Sequence, residues 1–216
     1  MEGAEAMIEL KNVSFSYGTV SCGKTQPAEK TRPLSDPAAH EILHGLTLKI
    51  ESGSRICLFG PSGIGKSTLL RLMMGLETPS SGSITGIQKL KKAVVFQEDR
   101  LLPFATVLKN LTLFGSSLAA HTHLKALGLA GQENAFPSSL SGGMKRRVAI
   151  ARALTRNGDI LFLDEPFTGL DVPCRKKTAD YILSQSAGKT IILVSHDKTE
   201  AALLQSKIIN VASLNT

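Results

Sequence analysis

The run Gly60-Pro61-Ser62-Gly63-Ile64-Gly65-Lys66-Ser67 constrains this chain more than any other stretch. It follows a short apolar segment, Arg55-Ile56-Cys57-Leu58-Phe59, that reads as a buried strand. It precedes Thr68-Leu69-Leu70-Arg71-Leu72-Met73-Met74, which reads as a helix with Gly75 as its stop. Strand, glycine turn and helix together are the setting of a phosphate-binding loop. The glycines let backbone N–H groups approach a phosphate, and some turn positions need φ > 0. Lys66 supplies a cation for the β- and γ-phosphates, and the Ser67 hydroxyl can ligate Mg²⁺. Residues 60–68 are therefore expected to cradle ATP. The loop alone leaves kinases, GTPases and many ATPases open.

Length and composition narrow the setting. The 216 residues, 42% of them hydrophobic, suffice for one large domain with a sizeable core. No apolar run approaches the roughly 20 residues needed to cross a bilayer, and Met1-Glu2-Gly3-Ala4-Glu5 does not resemble a signal peptide. A cytosolic chain is expected, touching a membrane only through a partner. Cys22, Cys57 and Cys174 are too few and too scattered for a disulfide framework or a zinc site, and Cys57 reads as a core residue. The net charge of +7 is spread along the chain and aromatics make up only 5%, so a solvated basic surface is expected and a nucleic-acid partner is not.

The order of patterns predicts an α/β fold. Ile8–Phe15 alternates apolar and polar residues, and Glu41–Ile50 repeats the theme, so both read as half-buried strands. Between them Gly18–His40 lacks an apolar period and reads as a long exposed loop. Short buried strands are expected at 93–96, 160–163, 190–194 and 208–211, with a helix over 198–205. Residues 97–157 read as helical, punctuated by Pro103, Gly115, Gly128 and Pro137. Strands separated by helices imply a mostly parallel sheet with its ligand at the C-terminal strand edge. His121 and His123, two residues apart, do not share a helix face and read as part of an exposed loop rather than a metal pair.

Ile160-Leu161-Phe162-Leu163-Asp164-Glu165-Pro166 is an apolar strand that delivers two carboxylates at its end. That form suits Asp164 at the magnesium beside Ser67, with Glu165 as a general base. Some seventy residues after the phosphate loop comes Leu140-Ser141-Gly142-Gly143-Met144, a Ser-Gly-Gly turn opening a helix pattern and so suited to an anion. With these motifs in this order, nearly the whole chain resembles the ATP-binding subunit of an ABC transporter.

The resemblance implies a P-loop NTPase (RecA-like) core of residues 1–96 and 158–216 with an antiparallel N-terminal β subdomain. It implies an inserted helical subdomain at 97–157, all within one ABC ATPase domain. Tyr17 takes the place of the aromatic that stacks on adenine. Gln97 takes that of the glutamine meeting Mg²⁺ and the attacking water, Asp171 that of the D-loop, and His196 that of the histidine at the γ-phosphate. Ser141, Gly142 and Gly143 are implied to grip the γ-phosphate held by another copy, so that two chains meet head to tail around two ATP molecules.

The chain departs from the family's pattern at Met144, where glutamine is usual, at Ile64, and in the long 18–40 loop. None of these removes a catalytic position. Gln97-Glu98-Asp99-Arg100-Leu101-Leu102-Pro103-Phe104 followed by Thr106-Val107 is similar to importers of nitrate, aliphatic sulfonates or taurine. The implied partners are a second ATP-binding subunit, integral membrane permeases and a solute-binding protein, with the chain on the cytoplasmic face of the membrane. Other transporter types, including exporters and lipoprotein- or lipid-extrusion systems, and soluble non-transport ABC ATPases are the alternatives. Leu101–Phe104 is unusually apolar for a connection, which marks it for a permease contact.

Overall fold

The computed structural model describes residues 6–17 and 40–214, so the 18–39 stretch and Cys22 lie outside the described residues. Two long strands, β1 (Ala6–Tyr17) and β2 (His40–Glu51), pair antiparallel. Alternation places Ile8, Leu10, Val13 and Phe15 of β1 and Leu43, Leu46, Leu48 and Ile50 of β2 in one core. The strand β3 (Arg55–Phe59) leads through the glycine turn into α1 (Lys66–Met74), which ends on Gly75 in the left-handed conformation. A further strand, β4 (Ser81–Thr85), is added antiparallel to β1 and was not anticipated from the sequence. Its Ser-Gly-Ser-Ile-Thr sequence is mostly solvent-exposed and carries no apolar period.

After β5 (Lys92–Val95) the chain turns helical: α2 (Val107–Thr112), α3 (Ser117–Ala126), a 3₁₀ turn at Pro137–Ser139, and α4 (Gly142–Thr155). It then alternates through β6 (Ile160–Asp164), α5 (Val172–Gln185), β7 (Thr190–Ser195), α6 (Lys198–Leu203) and β8 (Lys207–Asn210). The expected strands and the helices over 68–74 and 198–205 are present, with ends shifted by one or two residues, whereas within 97–157 the α-helices cover only 107–112, 117–126 and 142–155. His121 and His123 correct the loop expectation: both lie on α3, whose N-cap Ser116 accepts a hydrogen bond from Ala119 N. His121 is exposed and His123 is buried, as residues two apart on a helix should be.

The main sheet runs β5-β6-β7-β3-β8, with all four pairings parallel. Its central strands β6 and β7 are buried throughout, as strands covered on both faces must be. Register matters most for function: Phe59 pairs with Ser195, Asp164 with Val194 and Val95 with Leu163. The segments that leave β3, β7, β6 and β5 therefore emerge side by side at one edge of the sheet. No helix among the described residues is long and apolar enough to cross a membrane.

Candidate nucleotide site

That edge carries the glycine turn. Gly65 has φ of 94°, and a Cβ there would lie 2.8 Å from Ile42 Cγ2 and 2.9 Å from Leu43 Cδ2. The position thus demands glycine both for conformation and for the close approach of β2. The nearly buried Lys66 donates from Nζ to the carbonyls of Gly60 and Pro61, each at 2.8 Å. Ile64 packs partly buried against the core that contains Leu69 and Leu70, which explains how a bulky residue fits the loop. A cavity of about 330 Å³ opens here, lined by Ser62, Gly63, Gly65, Lys66, Ser67 and Gln97 among others. Gln97, reached from β5, thus shares one cleft with the loop. Thr68 also lines it.

Two side-chain pairs stand at the same edge. Ser67 Oγ donates to Asp164 Oδ1 at 3.3 Å, joining the start of α1 to the end of β6. Burial pushes the Asp164 carboxyl above the usual carboxylate range, opposed by that hydrogen bond. Ser67, Asp164 and Gln97 form an all-oxygen donor set around a buried carboxylate, which fits a hard divalent cation. His196 Nδ1 lies 3.0 Å from Glu165 Oε1, joining the ends of β7 and β6. Glu165 sits at φ of 47°, an uncommon conformation for a non-glycine residue, and its N–H donates to Val194 O. The loop bearing His196 is anchored from behind. Fully buried Ser195 donates from Oγ to Glu200 Oε2 at 2.7 Å and accepts from Asp197 N at 2.9 Å.

The other expected residues lie elsewhere. Ser141 N-caps α4, its hydroxyl accepting from Met144 N, and none of Ser141, Gly142, Gly143 or Asp171 lines the phosphate-loop cleft. Met144 packs its half-buried side chain against the core, and its N–H is bound at the turn by Ser141 Oγ. A Cβ on Gly143 would fall 2.9 Å from the carbonyl oxygen of Gly169, so this glycine lets α4 pack on the turn before α5. Asp171 caps α5 through Oδ1, which accepts from Cys174 N at 2.8 Å. Tyr17 ends β1 partly exposed, edge-on to Phe15 at a centroid distance of 4.8 Å.

The residue that sequence reasoning passed over is Arg146. Only 2% exposed, it aims its guanidinium at the base of the site. Nε donates to Pro166 O, Nη2 to the carbonyls of Asp164 and Glu165, and Nη1 to those of Phe96 and Gln97. Nη1 also meets Asp99 Oδ1 at 3.3 Å. Burial lowers its affinity for the proton, while Asp99, Asp164 and Glu165 act in the opposite sense. The signal in the sequence was its helical spacing with Ala149, Ile150 and Ala153, which places it on the buried face of α4. Asn110, 1% exposed, is a second such residue: it bonds Leu102 N, Leu102 O, Ala105 O and Thr106 O, fixing the connection after Gln97.

Comparison with known proteins bears on the family and the fold. The family model described as ABC transporter matches residues 43–168. The aliphatic sulfonates import ATP-binding protein SsuB 2 of Pseudomonas syringae pv. tomato is 42% identical over 182 residues, covering 82% of this chain and 78% of that protein. Among solved structures, the dimeric structure of MJ0796, a bacterial ABC transporter cassette, superposes with a TM-score of 0.76 at 30% identity. The match covers 91% of this chain and 90% of that one. The same cassette in a dimeric post-hydrolysis state bound to ADP and Pi gives a TM-score of 0.74 at 30% identity, with the same coverage. With its phosphate loop, paired strand-end carboxylates and Ser-Gly-Gly helix start in that frame, the chain belongs to the ABC transporter family of ATP-binding, ATP-hydrolysing cassettes.

Proposed function

We propose that this chain hydrolyses ATP to drive import of a small organic anion of the aliphatic sulfonate class through a separate membrane permease. The observation that carries the catalytic part is the alignment of four strand ends at one sheet edge. Those ends carry Lys66, Ser67 and Gln97, which line one cavity, Asp164, which accepts from Ser67, and Glu165 beside it, paired with His196. In this reading residues 60–68 and Lys66 hold the triphosphate and Tyr17 stacks on the base. Ser67, Asp164 and Gln97 would hold Mg²⁺. When bound, that ion would neutralise charge on the phosphate oxygens. Glu165 accepts the proton of the attacking water, while its partner His196 holds the carboxylate in place and faces the γ-phosphate. A left-handed backbone at Glu165 suits a residue held for function rather than for stability.

The similar cassette solved as a dimer supports a head-to-tail pair, in which Ser141, Gly142, Gly143 and Asp171 would close on the partner's ATP. Residues 97–157 then act as a helical subdomain inserted into the core of 1–96 and 158–216. The sulfonate assignment rests on the named relative and on the segment from Gln97 to Thr106. A permease and a solute-binding protein complete the transporter, with this chain peripheral on the cytoplasmic face.

The test is reconstitution with the cognate permease in proteoliposomes. An alkanesulfonate, delivered with its binding protein, should stimulate phosphate release and accumulate in an ATP-dependent manner. Stimulation by an unrelated solute class and not by sulfonates would redirect the solute assignment. Absence of any ATP hydrolysis would remove the catalytic reading.

A further inference from the structure

Arg146 belongs to the helix that opens with Ser141, yet every acceptor of its guanidinium belongs to another part of the site. Two are the carbonyls of Phe96 and Gln97, on the connection leaving β5. Three are the carbonyls of Asp164, Glu165 and Pro166, on the turn that carries the carboxylates. The sixth is the Asp99 carboxylate. Asp99 is itself held, because Arg152, two turns along α4, donates to the carbonyls of Asp99 and Arg100 at 2.8 and 2.6 Å. A planar fork with five N–H donors can serve this many acceptors from one point, whereas an ammonium with three cannot. Glu165 also sits in a backbone conformation that other contacts must enforce, and Arg146 Nη2 bonds its carbonyl directly.

We propose that Arg146 is a positioning residue for hydrolysis, locking the Glu165 turn and the Gln97 connection of its own chain to the start of α4. The inference rests on the head-to-tail reading above and extends it. In such a dimer the Ser141 end of α4 serves the partner's nucleotide, while Arg146 sets the base for the chain's own. One helix thereby ties the two ATP sites together.

The arrangement makes a prediction that depends on which chain carries the substitution. Mixed dimers are formed with a tenfold excess of a Glu165→Gln chain, so that the minority chain supplies the working base. Arg146→Gln is placed either on the minority chain, beside the intact Glu165, or on the Glu165→Gln chain. The first arrangement should lower kcat at least tenfold with KM changed less than threefold. The second should stay within twofold of the reference mixture. Arg146→Lys, which keeps the charge and loses the fork, should fall between wild type and Arg146→Gln in the first arrangement. It also carries the test if Arg146→Gln does not fold, as judged by its thermal melt. Equal losses in both arrangements, or loss only in the second, would overturn the proposal, as would no loss in either. ATP-driven dimerisation of the Glu165→Gln chain alone, read by light scattering, separates the two levels. Without dimers the head-to-tail reading fails and takes this inference with it. With dimers and no same-chain effect, only the role of Arg146 fails.

Discussion

In the proposed reading, Lys66 and Glu165 divide binding from chemistry at the scale of single side chains. The Lys66 ammonium is bonded only to the neutral carbonyls of its own loop in the described contacts, so its charge is available to an anion. A charge-assisted hydrogen bond is worth about 1.5–3 kcal/mol. Lys66→Ala should therefore raise the Kd for ATP roughly 10- to 150-fold, measured by equilibrium nucleotide binding; wild-type affinity in the variant would refute the role. Glu165→Gln preserves shape and the hydrogen bond to His196 but removes the proposed proton acceptor. Phosphate release should fall on the order of 10²- to 10⁴-fold, while ATP still binds and holds dimers that light scattering detects. These two positions were readable from the sequence because motif and neighbouring periodicity agreed. Arg146 was not, because a Lys-Arg-Arg run ordinarily marks a solvated face. Only its helical spacing from Ala149, Ile150 and Ala153 distinguished it from the more exposed Lys145 and Arg147 on either side.

At the scale of elements, the parallel strands were legible because burial on both faces leaves continuous apolar runs such as Ile160–Leu163 and Thr190–Val194. β4 was not, since an exposed edge strand of serine, glycine and threonine has no such run and owes its existence to pairing with β1. The helix α3 was missed at His121 and His123 for a related reason: of its apolar residues only Ala120 and Leu124 are buried, Leu118 is exposed, and its start is set by the Ser116 cap. That helix makes a pH-dependent link. His123 Nδ1 lies 2.8 Å from the Tyr181 hydroxyl on α5, and burial, with Lys189 adding to it, holds the imidazole below its ordinary value of 6.5. The unfolded chain consequently binds this proton more readily than the native one. Stability from His123 is complete above about pH 6.5 and is lost as pH falls below it toward the depressed native value. The slope from this group is at most about 1.4 kcal/mol per pH unit. Thermal melts between pH 7.5 and 5 should show it for the wild type and show a shallower dependence for His123→Gln. Parallel curves would mean that other groups govern the acid limb.

At the scale of the whole molecule, the question is how events at the sheet edge reach a membrane partner. The connection after Gln97 is rigid at its base, where Arg146, Arg152 and Asn110 bind successive backbone groups from Gln97 to Thr106. Its tip is apolar and uncovered: Leu101 packs on the core, Leu102 is half-exposed and Phe104 is 95% exposed. Burial in the helical segment would have accounted for Phe104 without a partner, and the structure removes that explanation. The same connection contributes Arg100 to a cavity of about 290 Å³ that also has Phe96, Phe114, Arg152 and Arg156 in its walls. An apolar tip beside a cationic cleft suits an amphipathic permease segment carrying a carboxylate. Burying a phenylalanine is worth about 1.5–3 kcal/mol, and a new carboxylate in the same place adds a desolvation cost. Phe104→Asp should therefore weaken permease pull-down at least tenfold. Because the ring touches solvent almost everywhere, the melt of the isolated chain and its ATP affinity should remain near wild type. Unchanged pull-down by a normally folded variant would remove Phe104 from the docking surface, whereas a collapsed melt would contradict the exposure on which the prediction stands.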